Sequence, residues 1–389
     1  MANYVLSKNN RYYAALESSY GVVPPVSATN RVPGVRLAIV TQKVAVPRRD
    51  KTGTRTFRGT PGIPRKVTSY EFESSLMAGA GGLPPAVGVL VQAALGAAAP
   101  MSVQQTVTVS ANGVELDFQT AHNLVVGSGV TVGDEMRIVA NVLSSTNVRL
   151  SAPLLNTTSG SSLVKPAAAY LPSRILPSLS LFDYWDPNAT VQRIVRGAGV
   201  DEMEIVVDGT EHKLVFRGPA AEEVSSAAFQ PSKSGLTAFP NEPTVQAESW
   251  APVPGHLGQV WIGSAPSQVL TLTKAAMLIR NNMMTRSFEF GSTQPLALSP
   301  GDREVDVAFE VYSTEESVFT ELYHAAQTET PIPLTIQLGN QAGAMAAVYI
   351  NAFVPQVPQF HDAETRLLWH FSSSRAQGTA DDEIFFAFG

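Results

Sequence analysis

The chain has 389 residues, with 27 Lys and Arg against 33 Asp and Glu, and a formal net charge of −6. Charged residues make up 15% of it, compared with roughly 25% in ordinary soluble proteins. Either an assembly hides part of the surface, or an Ala-, Ser- and Thr-rich composition accounts for the low share. The negative balance disfavours a general nucleic-acid binder, and the absence of cysteine excludes disulfides and thiolate chemistry.

Residues 1–33 are predicted to form an extended N-terminal arm. Alternating apolar and polar residues then predict strands over 35–42 and 67–76. Between these strands lies Lys43–Lys66, here called the basic loop, in which Asp50 is the lone acid. Long loops inside a compact domain are usually functional, so this one is a candidate functional segment. Its candidate functional residues are Arg48, Arg49, Lys51, Arg55, Arg58, Arg65 and Lys66.

An uncharged run extends from Ser74 to Val114. Part of it has the hydropathy of a membrane span, but Pro84–Pro85 and the surrounding glycines argue against one. We expect a short buried helix over 85–95 instead. A first β domain is predicted to consist of two parts, 34–100 and 166–222. A small β-barrel-like insert at 101–165 separates these parts, and its short strands are divided by turns.

After the insert, Gln192–Val207 is interpreted as one arm of a hairpin that turns at Asp208–Gly209. Residues 223–267, rich in Pro, Ser, Ala and Gly, are interpreted as a connection between domains. Residues 268–389 then repeat the order strand, long loop, strand, helix, strand, hairpin. The fold expected is therefore mainly β: two similar β-sandwich domains, each with a flanking helix, plus the insert. The shared order favours an internal duplication.

The sequence holds no phosphate-binding loop, nucleophile elbow or zinc-protease helix motif. His361, Asp362 and His370 come nearest to a metal group, and the run 381–383 is acidic, but both fit solvated turns better. We therefore expect no enzyme, with no catalytic residue, metal or cofactor. A carboxylate pair for glycoside hydrolysis remains open, since distant acids can meet in space.

Acidic residues alternate with apolar ones on two predicted strands, one in each half of the chain. They mark either the wet face of an antiparallel sheet or the wall of a channel whose negative charge keeps phosphate from sticking. The candidate acids are Glu71, Glu73, Glu304, Asp306 and Glu310.

Several stretches together resemble the tail tube proteins of long-tailed bacteriophages. They are ALESSYGVVPPVSAT (15–29), KVAVPRRDKTGTRTFRGTPGIPRKVTSYEFE (43–73), the helix after Pro84–Pro85 and the later hairpin. The stretch 121–154 is similar to small β domains of phage tail proteins. The resemblance implies a β-sandwich with a flanking helix, whose inner sheet lines a tube and whose long loop contacts neighbouring subunits and rings.

The resemblance also implies partners and a location. Such proteins form hexameric rings, so a duplicated chain is expected to form stacked trimers with pseudo-sixfold symmetry. Other tail proteins, such as tape measure and terminator, and genomic DNA passing through the lumen without sequence-specific binding are the further partners; no membrane is involved. The location is the virion tail, assembled in the host cytoplasm. A distal-tail or baseplate ring protein is the alternative, and a glycan-binding β protein a more distant one.

The segment Asn281–Arg303, here called the second loop, occupies the position of the basic loop in the second half. It carries Arg286 and Arg303 against Glu289 and Asp302. Position and length are repeated while charge is not, which two different neighbours explain better than contact with DNA. The basic loop is therefore interpreted as an arm that docks on the acidic remainder of adjacent subunits, with Arg286 and Arg303 as contacts of the second loop.

Overall fold

The computed structural model describes residues 4–45, 50–51, 53–57, 59, 64–79, 82–156, 160–188, 190–247, 250–287, 289–362 and 365–389. The chain is mainly β, as predicted, and its helices and strands are numbered here in chain order. Ahead of the insert the elements are β1 (Asn10–Leu16), β2 (Arg31–Val32), β3 (Gly34–Val44), β4 (Arg65–Ser75), β5 (Met77–Ala78), α1 (Gly88–Leu95) and β6 (Gly96–Ala98).

The insert forms a closed six-stranded barrel, as its pattern of short strands predicts. Its elements are β7 (Gln105–Val109), β8 (Glu115–Phe118), β9 (Gly129–Val132), β10 (Glu135–Val142), β11 (Asn147–Leu150) and β12 (Gly160–Lys165). They pair in the order β10-β11-β8-β7-β12-β9. Alternate apolar side chains such as Val107, Leu116 and Val148 point inward and form a hydrophobic cluster separate from that of the main body.

The strands between the barrel and the second half are β13 (Ala168–Pro172), β14 (Leu179–Trp185), β15 (Arg193–Ala198), β16 (Glu202–Val207), β17 (His212–Ala220), β18 (Glu222–Ser225), β19 (Ala251–Pro252), β20 (Gly258–Ile262) and β21 (Ser267–Gln268). The second half continues with β22 (Leu272–Arg280), β23 (Met284–Thr285), β24 (Leu298–Ser299), β25 (Glu304–Tyr312), α2 (Ser317–Thr328), β26 (Ile332–Leu338), β27 (Ala346–Val354), β28 (Gln359–His361), β29 (Leu368–Gln377) and β30 (Phe385–Phe388).

A five-stranded sheet has the order β18-β15-β14-β1-β2. Residues 10–16, which the sequence places in an extended arm, form β1 inside this sheet and pair along their whole length with β14. Four consecutive residues, Tyr12 to Ala15, are buried because both faces of β1 are covered. A continuous apolar run is typical of such a strand and lacks the alternation that marks a half-exposed one.

The carboxylate of Glu17 holds three strands of this sheet together. Its oxygens accept hydrogen bonds from the hydroxyls of Ser178 and Ser180 at 2.7 and 2.6 Å. They also accept bonds from the amides of Gly21 and Gly197 at 2.6 and 2.7 Å. Glu17 therefore fills the irregularity where β14 and β15 change register, and its burial is compensated by these bonds.

A larger sheet of 15 strands runs through both halves of the chain. Its main path is β21-β20-β26-β27-β29-β25-β22-β16-β17-β4-β3, with β28 beside β29 and β30 beside β27 and β13. The halves meet where β16 pairs with β22, from Glu202 opposite Arg280 to Val207 opposite Ala275. One hydrophobic cluster, including Phe72, Phe216 and Phe309, extends across this junction.

The stretch Gln192–Val207 is two strands in two sheets, and the expectation of one hairpin arm is wrong. β15 belongs to the five-stranded sheet, while β16 belongs to the larger one. The chain changes sheet after Gly197, whose φ of +59° lies in the region that glycine tolerates best. A side chain on Gly199 would clash with Leu298 and Met283, so the second loop lies close against this crossing.

Residues 223–267 do more than connect. β20 pairs with β26 and β21 pairs with β20, so the end of this stretch belongs to the larger sheet. Farther upstream, Phe229 and Phe239 cover Phe182 and Tyr184 on the outer face of the five-stranded sheet. Glu242 binds the guanidinium of Arg11, with 2.7 Å between Oε2 and Nη2.

Along the described ranges, no helix is both long and apolar enough to cross a membrane.

Candidate assembly surfaces

The basic loop leaves the end of β3 and returns at the start of β4. Lys51 and Arg55 are exposed, as is Phe57 with 71% of its surface accessible. Arg48, Arg49 and Arg58 lie outside the described residues. The placement of Lys51 and Arg55 leaves them accessible to a partner.

The return of the basic loop is anchored by the second loop. The backbone amide of Lys66 donates to the carbonyl of Thr293 at 2.9 Å, and the guanidinium of Arg65 donates to the carbonyl of Ser287. The ammonium group of Lys66 also lies 3.6 Å from the carboxylate of Glu222. The two long loops are therefore neighbours within one chain, which their separation in sequence does not reveal.

The second loop lies against the first half of the same chain. The side-chain amide of Asn281 donates to the carbonyls of Ala94 and Val200 at 2.9 and 2.8 Å. Asn281 is 1% exposed, and the amide of Met283 donates to Asp201 at 2.7 Å. These bonds fix the base of the loop between the end of α1 and the chain crossing that precedes β16.

The two basic side chains predicted as contacts in the second loop are engaged within the chain. Arg303 is 8% exposed and lies 3.4 Å from Asp381 and 3.1 Å from Glu383, and its Nη2 donates to the carbonyl of Ser173 at 2.6 Å. Arg286 forms an exposed ion pair with Glu289. An inter-subunit role for either remains a prediction.

The five candidate acids share the solvent-facing side of the larger sheet, where β3, β4, β17, β16, β22, β25 and β29 run side by side. We call this side the charged face. Glu71 on β4 lies 2.8 Å from Arg217 on β17, and Arg217 lies 3.1 Å from Glu204 on β16. Hydrogen bonding to Glu71, and then to Glu204, raises the pKa of Arg217 above its usual value.

The same alternation of sign continues into the second half. Arg280 on β22 lies 3.9 Å from Glu202 and also binds Asp306 on β25. Asp306 lies 3.6 Å from Arg375 on β29. Glu310 lies 3.3 Å from His370 and 3.7 Å from Lys274.

The remaining two candidate acids, Glu73 and Glu304, each lie opposite an arginine on the neighbouring strand. Glu73 is opposite Arg36, and Glu304 is opposite Arg280. The charged face thus carries Glu71, Glu73, Glu202, Glu204, Glu304, Asp306 and Glu310 with Arg36, Lys213, Arg217, Lys274, Arg280 and Arg375. It is nearly balanced in charge, whereas the acids considered alone predict a negative surface. Sequence reasoning missed the arginines because their strand neighbours come from distant segments.

A buried ion pair joins the barrel to the second half. Glu135 and Arg137 on β10 are both fully buried, with 3.0 Å between Oε1 and Nη2. Arg137 also donates to the side-chain oxygens of Gln337 and Gln259, each at 2.6 Å, and lies over the ring of Trp261. Burial lowers the pKa of Arg137 to about 10, so it stays protonated at neutral pH.

Apolar contacts surround this polar junction. Met136 and Ile138 of the barrel pack with Met345, Ala347 and Phe385, which lie outside the barrel in the second half. The insert therefore interrupts the first half of the sequence but packs against residues of the second half. No sequence pattern marked this contact, because residues on facing surfaces of two units share no periodicity.

Groups of three or more His, Cys, Asp or Glu arranged to hold a metal are absent from the part of the chain that the structure describes. Comparison with protein-family models found no match. Comparison with curated proteins likewise found no matching relative.

Proposed function

We propose that this chain is a structural protein of a long-tailed bacteriophage, whose copies assemble into stacked rings that form the tail tube. DNA would pass through the lumen at ejection. The larger sheet carries the proposal, because its charged face continues without a break from β3 to β29 across two halves of one chain. A wall made by joining sheets edge to edge is what a ring of such units requires.

The proposal includes a duplication of one β-sandwich unit, which the pairing orders support. In the charged-face sheet, β3-β4-β17-β16 corresponds to β22-β25-β29-β28. On the outer side, β18-β15-β14-β1-β2 corresponds to β30-β27-β26-β20-β21. Corresponding strands also follow one another in the same chain order, with α1 and α2 at the same step.

Repeating the internal junction generates a ring. Inside the chain, β16 of the first unit pairs antiparallel with β22 of the second. The corresponding strands at the outer edges are β28 and β3, so β28 of one copy would pair with β3 of the next. Such a contact is heterologous and closes if the rotation between units allows it. An 11-residue edge strand such as β3 is otherwise a liability for a soluble protein.

The width of the resulting tube supports three chains per ring. Each chain contributes eight strands to the wall, namely the seven of the charged face and β28 beside β29. Three chains give about 24 strands, and at about 4.8 Å between neighbours the backbone circle is roughly 115 Å around and roughly 37 Å across. A duplex fits inside such a circle after side chains are added. The near balance of acids and bases leaves little net attraction for phosphate, which suits a conduit.

Negative-stain microscopy of the purified protein tests the proposal. We expect threefold rings or long tubes made of stacked rings. Single closed rings that never stack would favour a distal-tail or baseplate ring protein. A stable monomer at all concentrations would contradict both assignments, and stabilisation of that monomer by sugars would favour the glycan-binding alternative.

A further inference from the structure

Asn281 shows how one unit receives the start of a long loop from the next. Its amide enters between the last turn of α1 and the crossing before β16, and donates to a carbonyl on each side. The last turn of a helix offers carbonyl oxygens without helical partners, so a donor placed there is stabilised. Because Asn281 is 1% exposed, this docking is a closed contact.

The matching place in the second unit is an open cleft of about 630 Å³. It lies between the end of α2 and the connection from β27 to β28, with β29 as its floor. Its walls include Ala326, Glu329, Val354, Gln356 and Arg375. We call it the α2 cleft. Each wall corresponds to an element around Asn281: α2 to α1, the 355–358 connection to residues 199–201, and β29 to β17.

We infer that the α2 cleft receives Lys43 and the start of the basic loop from a second copy of this chain. The inference rests on the proposed ring, in which β3 of one copy lies beside β28 of the next. Lys43 is near the end of β3, as Asn281 directly follows β22. By strand alternation both side chains point away from the charged face, and Lys43 is exposed in the single chain.

The chemistry of the two sides is complementary at the α2 end of the cleft, while the cleft's own cation, Arg375, lies 3.6 Å from Asp306. The ammonium group of Lys43 has three donors and would reach carbonyls at the end of α2 as the amide of Asn281 reaches those of Ala94 and Val200. A cation is also favoured at the carboxyl end of a helix, where Glu329 adds a formal negative charge. Glu329 is exposed, so its charge is accessible to the incoming loop.

A cysteine pair tests this docking, because the natural chain contains no cysteine. The variant Lys43→Cys with Gln356→Cys is assembled and oxidised, and non-reducing electrophoresis detects a disulfide between copies. Lys43→Cys with Val142→Cys is the matched control, since Val142 is exposed on the barrel. We expect covalent multimers from the first pair and monomers from the control.

Two outcomes would overturn the inference, and they are distinguishable. Assembled rings with no cross-link, or with equal cross-linking in the control, would show that the α2 cleft does not receive Lys43. The tail-tube proposal would stand in that case. Protein that never assembles would overturn the tail-tube proposal and this docking with it. A second variant pair adds a readout: Lys43→Asn is expected to keep assembly because its amide still donates, whereas Lys43→Glu is expected to reduce assembly at least tenfold.

Discussion

The buried pair of Glu135 and Arg137 shows how single residues hold the units in place. Each charge is fully enclosed, and each is met by partners: Glu135 also accepts bonds from the amides of Leu155 and Asn156. Such a pair contributes little net stability when intact, but removing one partner leaves the other charged group uncompensated in a medium of low polarity.

We therefore expect Arg137→Ala to lower the free energy of unfolding by about 3–5 kcal/mol. Urea denaturation followed by tryptophan fluorescence measures the change, since Trp261 lies against Arg137. Arg149→Ala is the matched control, because Arg149 forms an exposed pair with Glu115 on the same barrel and its loss should cost less than about 1 kcal/mol. Equal losses in both variants would contradict the role assigned to burial.

His212 gives a prediction about pH. Burial lowers its pKa below the ordinary value of about 6.5, with Nε2 beside the carbonyl of Pro254 at 3.2 Å. The folded state thus binds this proton less readily than the unfolded state. The stability that the neutral ring contributes is present above about pH 6.5 and is lost as pH falls below it.

We expect the drop in unfolding free energy between pH 7.5 and pH 5.5 to shrink in His212→Gln. Urea denaturation at the two pH values measures it. His324→Gln is the control, since His324 is exposed on α2 and its replacement should leave the drop unchanged. The same drop in wild type and His212→Gln would show that other groups control acid stability.

At the scale of elements, the barrel is the part of the fold whose strand pairing and hydrophobic core are separate from those of the main body. Its hydrogen-bonded strands close on themselves and surround a hydrophobic cluster of their own. Its contacts with the main body include those of Met136, Ile138 and the buried pair. Closure also removes the free edges that would otherwise require a neighbouring strand.

We expect a fragment of residues 101–165 to fold alone into a β structure with a cooperative thermal transition. Circular dichroism during heating measures this. The variant Val148→Asp, which places a charge in the barrel core where Val148 is fully buried, should abolish the transition. A fragment that shows no cooperative transition would mean that the second half is needed to hold the barrel together.

At the scale of the whole molecule, the basic loop and the α2 cleft belong to opposite ends of the charged-face sheet. In the proposed ring, a chain of two units makes two junctions, and the intrachain contacts of the second loop would satisfy one of them. The other junction would be made between copies, and the charge of the basic loop suits an acidic neighbour.

We expect reversal of Arg48, Arg49, Arg55 and Arg58 to Glu to leave the chain folded and to block assembly. Circular dichroism checks the fold, and negative-stain microscopy counts rings and tubes. Reversal of the exposed bases Lys8, Arg174, Lys233 and Arg366 changes the net charge by the same amount and is expected to permit assembly. Normal tubes from the loop variant would remove the basic loop from the interface.

Local pattern determined much of this protein. Alternation placed Glu71, Asp306 and Glu310 on strand faces, and short strands with turns predicted the barrel, because a side chain's face depends only on its position along the strand. The apolar run around residue 90 likewise predicted α1. These features need no knowledge of what packs on them.

Tertiary structure alone decided which segments meet. β1 became an internal strand, Gln192–Val207 divided between two sheets, and Arg217, Arg280 and Arg375 came to neutralise the acids of the charged face. Strand pairing brings together residues that are far apart in sequence, and the free energy of those contacts depends on both partners. A single sequence shows which side chains lie on each face of a strand, whereas the packed sheet determines which other strand lies beside it.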